Sequence, residues 1–405
     1  MQDINAGDTA WVLASAALVM FMMPGLAFFY GGLVRAKNVL GTIMQSFIAL
    51  ALVTVLWVLV GYTLAFGPDI GGLIGGLDFV GLRHVGASPS EYAPTVPATA
   101  YMVFQLMFAI ITPALIAGAF AERMKFSGYL MFIGLWSLLV YAPVAHWEWG
   151  GGFLGPSGVG AVDFAGGAVV HANAGAAALA TAIYLGKRRG HGSEDMSPHN
   201  VPFVILGAGI LWFGWFGFNG GSALASNALA SSAFVNTQIG AAAAILGWII
   251  PERMRGGKAT TVGAATGAVA GLATITPAAG FVPPLAALLI GLVAGFVCFQ
   301  AVALKDRLGY DDSLDVVGVH MVGGVLGVLL TGAFASLVIN ASGVAASVAQ
   351  VGRQAVLAGV TLVFSFAATM AILKLTDVTV GLRVSEEHEE AGLDLTQHGE
   401  IGYRL

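Results

Sequence analysis

The stretch GTIMQSFIALALVTVLWVLVGYTLAF, residues 41–66, contains no lysine, arginine, aspartate or glutamate. A helix needs roughly 20 apolar residues to cross a hydrocarbon core of about 30 Å, so this segment is long enough to span a membrane. The whole chain shares this character, because 57% of its 405 residues are hydrophobic and only 10% are charged. Soluble domains usually carry about 25% charged residues. The sequence therefore predicts an all-α integral membrane protein.

Charged clusters and prolines separate this stretch from ten further apolar runs of about spanning length. Asp3 and Asp8 precede the first run without a basic segment, so we expect no cleaved signal peptide. The eleven predicted transmembrane helices lie at about 11–34, 41–66, 99–120, 128–146, 163–186, 202–221, 233–250, 259–277, 284–304, 315–337 and 353–375.

The basic residues predict the direction in which the helices run. Of the 17 lysines and arginines, all except Arg83 and Arg353 follow odd-numbered helices, stand at the end of the eleventh or lie in the C-terminal tail. Loops rich in these residues stay on the cytoplasmic side of a membrane. We therefore expect the N-terminus outside and the C-terminus inside.

The first ten predicted helices divide into two sets of five, at about 11–186 and 202–337. Because five is odd, the second set must run inverted relative to the first. FFYGG at 28–32 resembles GFNGG at 217–221, which supports an inverted five-helix pseudo-repeat. Such repeats are typical of transporters, whose pathway lies between them near the bilayer midplane. The eleventh helix completes a transmembrane domain over 1–375, and residues 376–405 form a polar cytoplasmic tail.

Four ionisable residues stand within or at the ends of apolar runs: Asp163, His171, Asp315 and His320. An aspartate at the centre of a lipid-facing helix costs about 2.5 to 3.5 kcal/mol, so residues of this kind are candidates for function. Both aspartates also lie near helix starts, where an aspartate often caps free backbone N–H groups. A structural cap and an acid at the mouth of a pathway therefore both remain open for each.

The two histidines are predicted to meet inside the membrane. At 1.5 Å per residue, His171 lies about 12 Å inside the fifth helix and His320 about 8 Å inside the tenth, from opposite sides. Two neutral imidazoles can bond to each other, offer a donor and an acceptor to a small solute, and relay a proton. A buried core pair is the alternative. A metal site would need a third ligand, and because no HExxH motif or Cys/His cluster occurs, we expect no metal and no cofactor.

Aromatic residues stand near the predicted outer side. Trp149 is predicted to lie in the loop before the fifth helix, and the face of an indole attracts a cation by about 0.5 to 2 kcal/mol. Phe104 and Phe108 are one turn apart on the third helix, and Phe218 lies shortly before Ser222 at the outer end of the sixth. Taken singly, each aromatic ring is better explained by packing or by an interfacial aromatic belt.

Considered together, these segments resemble the ammonium transporters of the Amt/Mep/Rh family, bacterial Amt branch. The resemblance covers essentially the whole chain. It is carried by EWGGG at 148–152, DFAGGAVVHANAG at 163–175, GWFGFNGGS at 214–222, DVVGVHMV at 315–322, FQLMFAIITPALIAGAFAER at 104–123 and TVGLRVSEEHEEAGLDLTQHGE at 379–400.

This resemblance implies a homotrimer in the cell inner (cytoplasmic) membrane, with one pore for ammonium or ammonia in each subunit. It also implies that a PII-type signalling protein docks on the cytoplasmic face. By resemblance, the substrate is recruited by Trp149, Phe104 and Ser222 with support from Asp163, passes a gate of Phe108 and Phe218, and crosses a pore lined by His171, His320 and Trp215.

The expected function is ammonium transport, in which NH4+ is deprotonated, NH3 crosses the pore and a proton is transferred with it. Passive conduction of NH3 remains open. The main alternative is an ammonium sensor that signals through its tail and a bound regulator. A sodium-coupled amino-acid transporter would need broken helices at mid-membrane, and an enzyme would need an activated nucleophile or a metal set. The net charge of -5 gives no reason to expect a nucleic-acid partner.

Overall fold

The computed structural model describes residues 3–403, which form a bundle of helices. Within these residues, ten helices are long and apolar enough to cross a membrane, and one further apolar helix, Thr261–Ile275, is shorter. They are α1 (Ala6–Leu33), α2 (Ala36–Phe66), α3 (Ala98–Phe120), α4 (Phe126–Trp149), α5 (Gly167–Leu185), α6 (Val201–Gly221), α7 (Ala228–Gly256), α8 (Thr261–Ile275), α9 (Pro284–Leu308), α10 (Val317–Phe334) and α11 (Val348–Thr379).

Each of the eleven predicted runs falls on one of these helices, and the prediction of an all-α membrane protein is confirmed. That all eleven helices cross the membrane, and that the N-terminus lies outside, stay predictions. Arg404, which the sequence places on the inner side, lies outside the described residues.

Short elements connect and flank the membrane helices. Between α2 and α3, strand β1 (Asp69–Ile70) pairs with β2 (Ile74–Gly75), and β3 (Pro89–Ser90) pairs with β4 (Ala93–Pro97), both antiparallel. The tail forms two short helices, α12 (Glu386–Ala391) and α13 (Leu393–His398). It packs back on the bundle, because the backbone N–H of Leu393 donates to Asn38 Oδ1 at 2.8 Å.

Helices α5 and α10 cross with their backbones almost in contact. A Cβ atom added at Gly175 would lie 2.5 Å from the Cα of Met321, and one added at Gly324 would lie 2.6 Å from the carbonyl oxygen of Gly167. Both distances are shorter than any normal carbon contact, so only glycine fits at these two positions. The close crossing brings the first turns of the two helices together.

Those first turns have the same local structure. Each is a π-helical turn, Gly167–Ala172 in α5 and Val317–Met321 in α10, and each contains a histidine. An aspartate stands eight positions before each histidine, at 163 before 171 and at 312 before 320. Both aspartates accept backbone N–H groups at the start of their helix. The matching pattern supports the inverted pseudo-repeat.

Asp312, and not Asp315, is therefore the counterpart of Asp163. The Oδ2 atom of Asp312 accepts the N–H of Val317 at 2.7 Å. The carboxylate of Asp315 pairs instead with the Nζ atom of Lys305. Of the two interpretations of Asp315, the helix cap is wrong, because the carboxylate contacts Lys305 of α9. The sequence does not reveal this contact.

Buried ion pairs join the two halves of the bundle at its basic end. Arg188 bonds through Nε and Nη2 to the two carboxylate oxygens of Asp311, each at 2.9 Å, and its Nη1 lies 3.5 Å from Glu122 Oε2. Glu122 also pairs with Arg35 at 2.8 Å. These residues follow α5, α9, α3 and α1. Burial by itself would raise the pKa values of Asp311 and Glu122. The positive charge of Arg188 outweighs this effect and holds both pKa values below their ordinary range.

We expect Asp311→Asn to lower the free energy of unfolding by about 3 to 5 kcal/mol, because it leaves the buried Arg188 with Glu122, at 3.5 Å, as its remaining acidic partner. Because the folded protein holds the pKa of Asp311 low, this pair stabilises the fold at neutral pH, and its contribution is lost as the pH falls below about 4. Thermal unfolding of the purified protein in detergent, measured over a pH series, tests both points.

The control is Glu194→Gln, which removes an exposed partner 3.4 Å from Arg35. Surface pairs of this kind contribute about 0 to 1 kcal/mol. Equal destabilisation by the two substitutions would contradict a special role for the buried pair.

Candidate functional site

A cavity of about 290 Å³ lies at the end of the bundle opposite the basic loops. Helix α4 begins directly after the basic loop at Arg123 and Lys125 and ends at Trp149, at the cavity. The four residues to which the family resemblance gives a role in recruitment all line this cavity. Its lining includes Phe104, Phe108, Glu148, Trp149, Asp163 and Ser222.

Trp149 is the last residue of α4, because the helix continues beyond residue 146. The prediction that Trp149 lies in a loop is therefore wrong. Its Nε1 atom donates to the carbonyl oxygen of Asp163 at 2.8 Å, which fixes the ring. Its ring lies 5.8 Å from that of Phe108, at 84°. With the N–H group already engaged, the indole offers its π face to a ligand, and such a face attracts cations.

Ser222 supplies an oxygen atom to the same cavity. Its Oγ atom donates to the carbonyl oxygen of Phe218 at 2.8 Å. A hydroxyl group that donates its one hydrogen in this way keeps lone pairs free to accept a hydrogen bond from a ligand. Ser222 is therefore oriented as an acceptor.

Asp163 acts on the backbone. Its Oδ1 atom accepts the N–H groups of two consecutive residues at 2.8 and 2.7 Å, and its Oδ2 atom accepts those of the next two at 2.7 and 3.1 Å. The carboxylate therefore caps the start of α5. Because each oxygen already accepts two donors, Asp163 has little capacity left for a ligand. The four donors are Gly166, Gly167, Ala168 and Val169.

Two phenylalanine rings close the floor of the cavity. The centroids of Phe108 and Phe218 lie 4.4 Å apart at an angle of 42°, and both side chains are buried. Phe104 packs against Phe108 at 5.0 Å. A molecule that passes from the cavity into the bundle must displace these rings.

The two histidines meet directly below the phenylalanine pair. The Nδ1 atoms of His171 and His320 are 3.2 Å apart, and the His171 ring lies 5.9 Å from that of Phe218. One Nδ1 must carry the hydrogen and the other must accept it, so a hydrogen bond here requires at least one unprotonated Nδ1. The Nε2 atom of His171 is buried and has no partner among residues 3–403. One polar ring atom of the pair is therefore available to a solute.

The space around the histidines is narrow and mostly apolar. A cavity of about 10 Å³ touches both rings, and its lining includes Trp215, Met22, Leu26 and Val269. Trp215 stacks on His171 with centroids 5.4 Å apart, and its Nε1 atom donates to Thr276 Oγ1 at 2.8 Å. The volume suits one small molecule, about the size of a water. A hydrated ion is too large for it.

The predicted site residues thus form a continuous series of contacts, from the cavity through the phenylalanine pair to the histidines. Glu148 also lines the cavity, beside Trp149, and is 3% exposed. No role was predicted for it from the sequence. An acidic residue between two tryptophans, in HWEWGGG at 146–152, at the end of an apolar helix, is the signal that could have identified it.

Comparison with known proteins gives one consistent result. The model of the Ammonium Transporter Family matches residues 10–403. The chain is 49% identical over 406 residues to an ammonium transporter of Bacillus subtilis (strain 168), with 99% of each chain covered. Its fold is similar to the crystal structure of Saccharomyces cerevisiae Mep2, with a TM-score of 0.91, 36% identity and coverage of 99% of this chain and 92% of that one.

It is also similar to a structure described as a Sensor Amt Protein, with a TM-score of 0.90, 30% identity and coverage of 97% of this chain and 98% of that one. The similarity therefore extends over nearly the whole chain in both sequence and structure. The multi-pass membrane protein described here belongs to the ammonium transporter family.

Proposed function

We propose that this protein transports ammonium across the cell inner membrane and is not an enzyme. The observation that carries the proposal is the continuous line of an aromatic cavity, a closed phenylalanine pair and a histidine pair in an apolar passage. The names of its relatives support the substrate.

The geometry offers a way to select ammonium over potassium. The two cations are similar in size, so attraction alone does not separate them. The idealised cost of moving a small ion into a medium of low dielectric constant is of order 20 kcal/mol. The passage around His171 and His320 is lined largely by apolar side chains, which compensate little of this cost. Ammonium can leave a proton behind and cross as neutral NH3, whereas potassium keeps its charge.

The proposed path has three stages. Trp149, Phe104 and Ser222 recruit NH4+, and the four N–H groups that Asp163 holds fix the nearby backbone. The ion loses its proton near Phe108 and Phe218, with the unpartnered Nε2 atom of His171 as the acceptor, and NH3 passes the gate. NH3 then moves along His171, His320 and Trp215 and is protonated again at the basic end. The Nδ1–Nδ1 hydrogen bond gives the proton a route between the rings, which favours a coupled proton transfer over passive conduction of NH3.

Ammonium sensing is the second candidate function, and its support is the similarity to the Sensor Amt Protein. The tail of this chain is held at the basic end by charged contacts. Arg189 Nη1 lies 2.5 Å from Glu390 Oε2, and Arg383 Nη2 lies 2.9 Å from Glu389 Oε2. A PII-type regulator that binds this end would meet the tail and the basic loops together. We also propose that the protein is a homotrimer, which native mass measurement in detergent tests.

We expect the double substitution His171→Ala, His320→Ala to abolish the ammonium current or its selectivity over potassium, because it removes both the polar ring atoms and the proton route. The measurement is the transient current of proteoliposomes after a jump in external ammonium, with potassium as the comparison. The exposed tail substitution His388→Ala is the control and should leave both quantities unchanged. A selective, undiminished current in the double variant would contradict this role for the histidines.

Trp149→Leu should raise the apparent KM for ammonium by about 2- to 30-fold, because a cation over an indole face gains about 0.5 to 2 kcal/mol. The maximal current per folded protein should stay near the wild-type value. Trp212→Leu on α6 is the control, since Trp212 is not among the residues that line the outer cavity. If both variants changed KM to the same extent, the effect would reflect packing and not recruitment.

A further inference from the structure

We propose that Glu148 is a substrate-binding residue whose carboxylate holds the cation in the outer cavity beside Trp149. This inference rests on the proposed function and identifies the anionic group of that site. In the proposed function, the cation is recruited by the aromatic face of Trp149 and the hydroxyl oxygen of Ser222. Glu148 adds a formal negative charge to these two groups.

The state of the Glu148 side chain is the first support. Glu148 lines the cavity, is 3% exposed, and has a buried Oε2 atom with no hydrogen-bond partner among residues 3–403. Burial of a carboxylate is costly unless a donor or a positive charge accompanies it. Because Glu148 lines the cavity, a ligand there with N–H donors and a positive charge would offset the cost of the buried carboxylate.

The absence of a protein counter-charge is the second support. Among the described residues that line this cavity, none is a lysine, an arginine or a histidine. Asp163 is a second acidic residue in the same lining. An opposite charge nearby favours the charged form of a carboxyl group, so a bound cation would stabilise the charge of Glu148 where no basic residue does. That cation must come from solution.

Asp163 itself does not fill this role. Both of its oxygens already accept two backbone N–H groups. Glu148 is the other acidic residue in the described lining, and it retains an unpartnered oxygen. The two acids at the cavity therefore have different tasks: Asp163 shapes the backbone at the start of α5, and Glu148 contacts the ligand.

The chemistry of the site suits a small protonated amine. An ammonium ion has four N–H donors, which can reach the carboxylate and the Ser222 hydroxyl oxygen while the ion lies against the Trp149 ring. A hydrogen bond between two charged groups is short and strong. Potassium has no N–H donor and gains only the charge attraction. Glu148 should therefore set the apparent affinity for ammonium, and not the maximal rate.

The test is Glu148→Gln, which keeps the size of the side chain and removes its charge. We expect the apparent KM for ammonium to rise at least tenfold, with the maximal current per folded protein within about twofold of wild type. The assay is the current of proteoliposomes over a range of ammonium concentrations. Asp78→Asn is the matched control, because it removes one negative charge from an exposed position of the loop between α2 and α3 and does not line the cavity.

A second variant separates charge from shape. Glu148→Asp keeps the carboxylate on a shorter side chain, and its KM should lie between those of the wild type and Glu148→Gln. A KM within twofold of wild type in the Gln variant, or equal changes in the Gln and Asp variants, would overturn the inference. Either result would leave the proposed function intact as long as the wild type carries an ammonium current. A silent wild type would overturn the proposed function, and this inference with it.

Discussion

A charge inside an apolar helix bundle needs a partner, and this constraint organises the whole molecule. At the basic end, Arg188 is buried only because Asp311 and Glu122 accompany it. At the other end, Asp163 is buried with four backbone N–H groups on its oxygens. Between these ends the passage is narrow and mostly apolar, and the histidine pair supplies polar ring atoms without requiring a fixed charge. A cation meets its largest energetic barrier there.

The two ends of the bundle are held together in different ways. Ion pairs from four segments hold the basic end together and tie the first half of the chain to the second. The aromatic end instead keeps a cavity of about 290 Å³, in which Glu148 has an unpartnered oxygen and Ser222 retains free lone pairs. An arrangement that left no polar atom unsatisfied would be more stable but would bind no ligand.

Sequence reasoning located most of the site for identifiable reasons. Histidine and aspartate are rare in apolar runs, so His171, His320 and Asp163 could be singled out one by one. The predicted end of α4 at residue 146 is too early, because the glycines at 150–152 leave the boundary unclear in the sequence. In the structure the helix continues to Trp149. A helix cap was one of the two interpretations left open for Asp315, but Asp312 has that role. The contact of Asp315 with Lys305 depends on how α9 packs beside α10.

The sequence alone determined the class of the protein and the approximate positions of its helices, because the length and composition of an apolar run decide whether it is able to span a membrane. The resemblance of its motifs also named residues for the pathway. Only the tertiary structure decided which of them touch. The 3.2 Å separation of the two Nδ1 atoms depends on the glycine crossing of α5 and α10. Whether an oxygen of Glu148 lacks a partner depends on which donors the fold brings near it. A local sequence pattern does not encode the distances between residues that only the fold brings together.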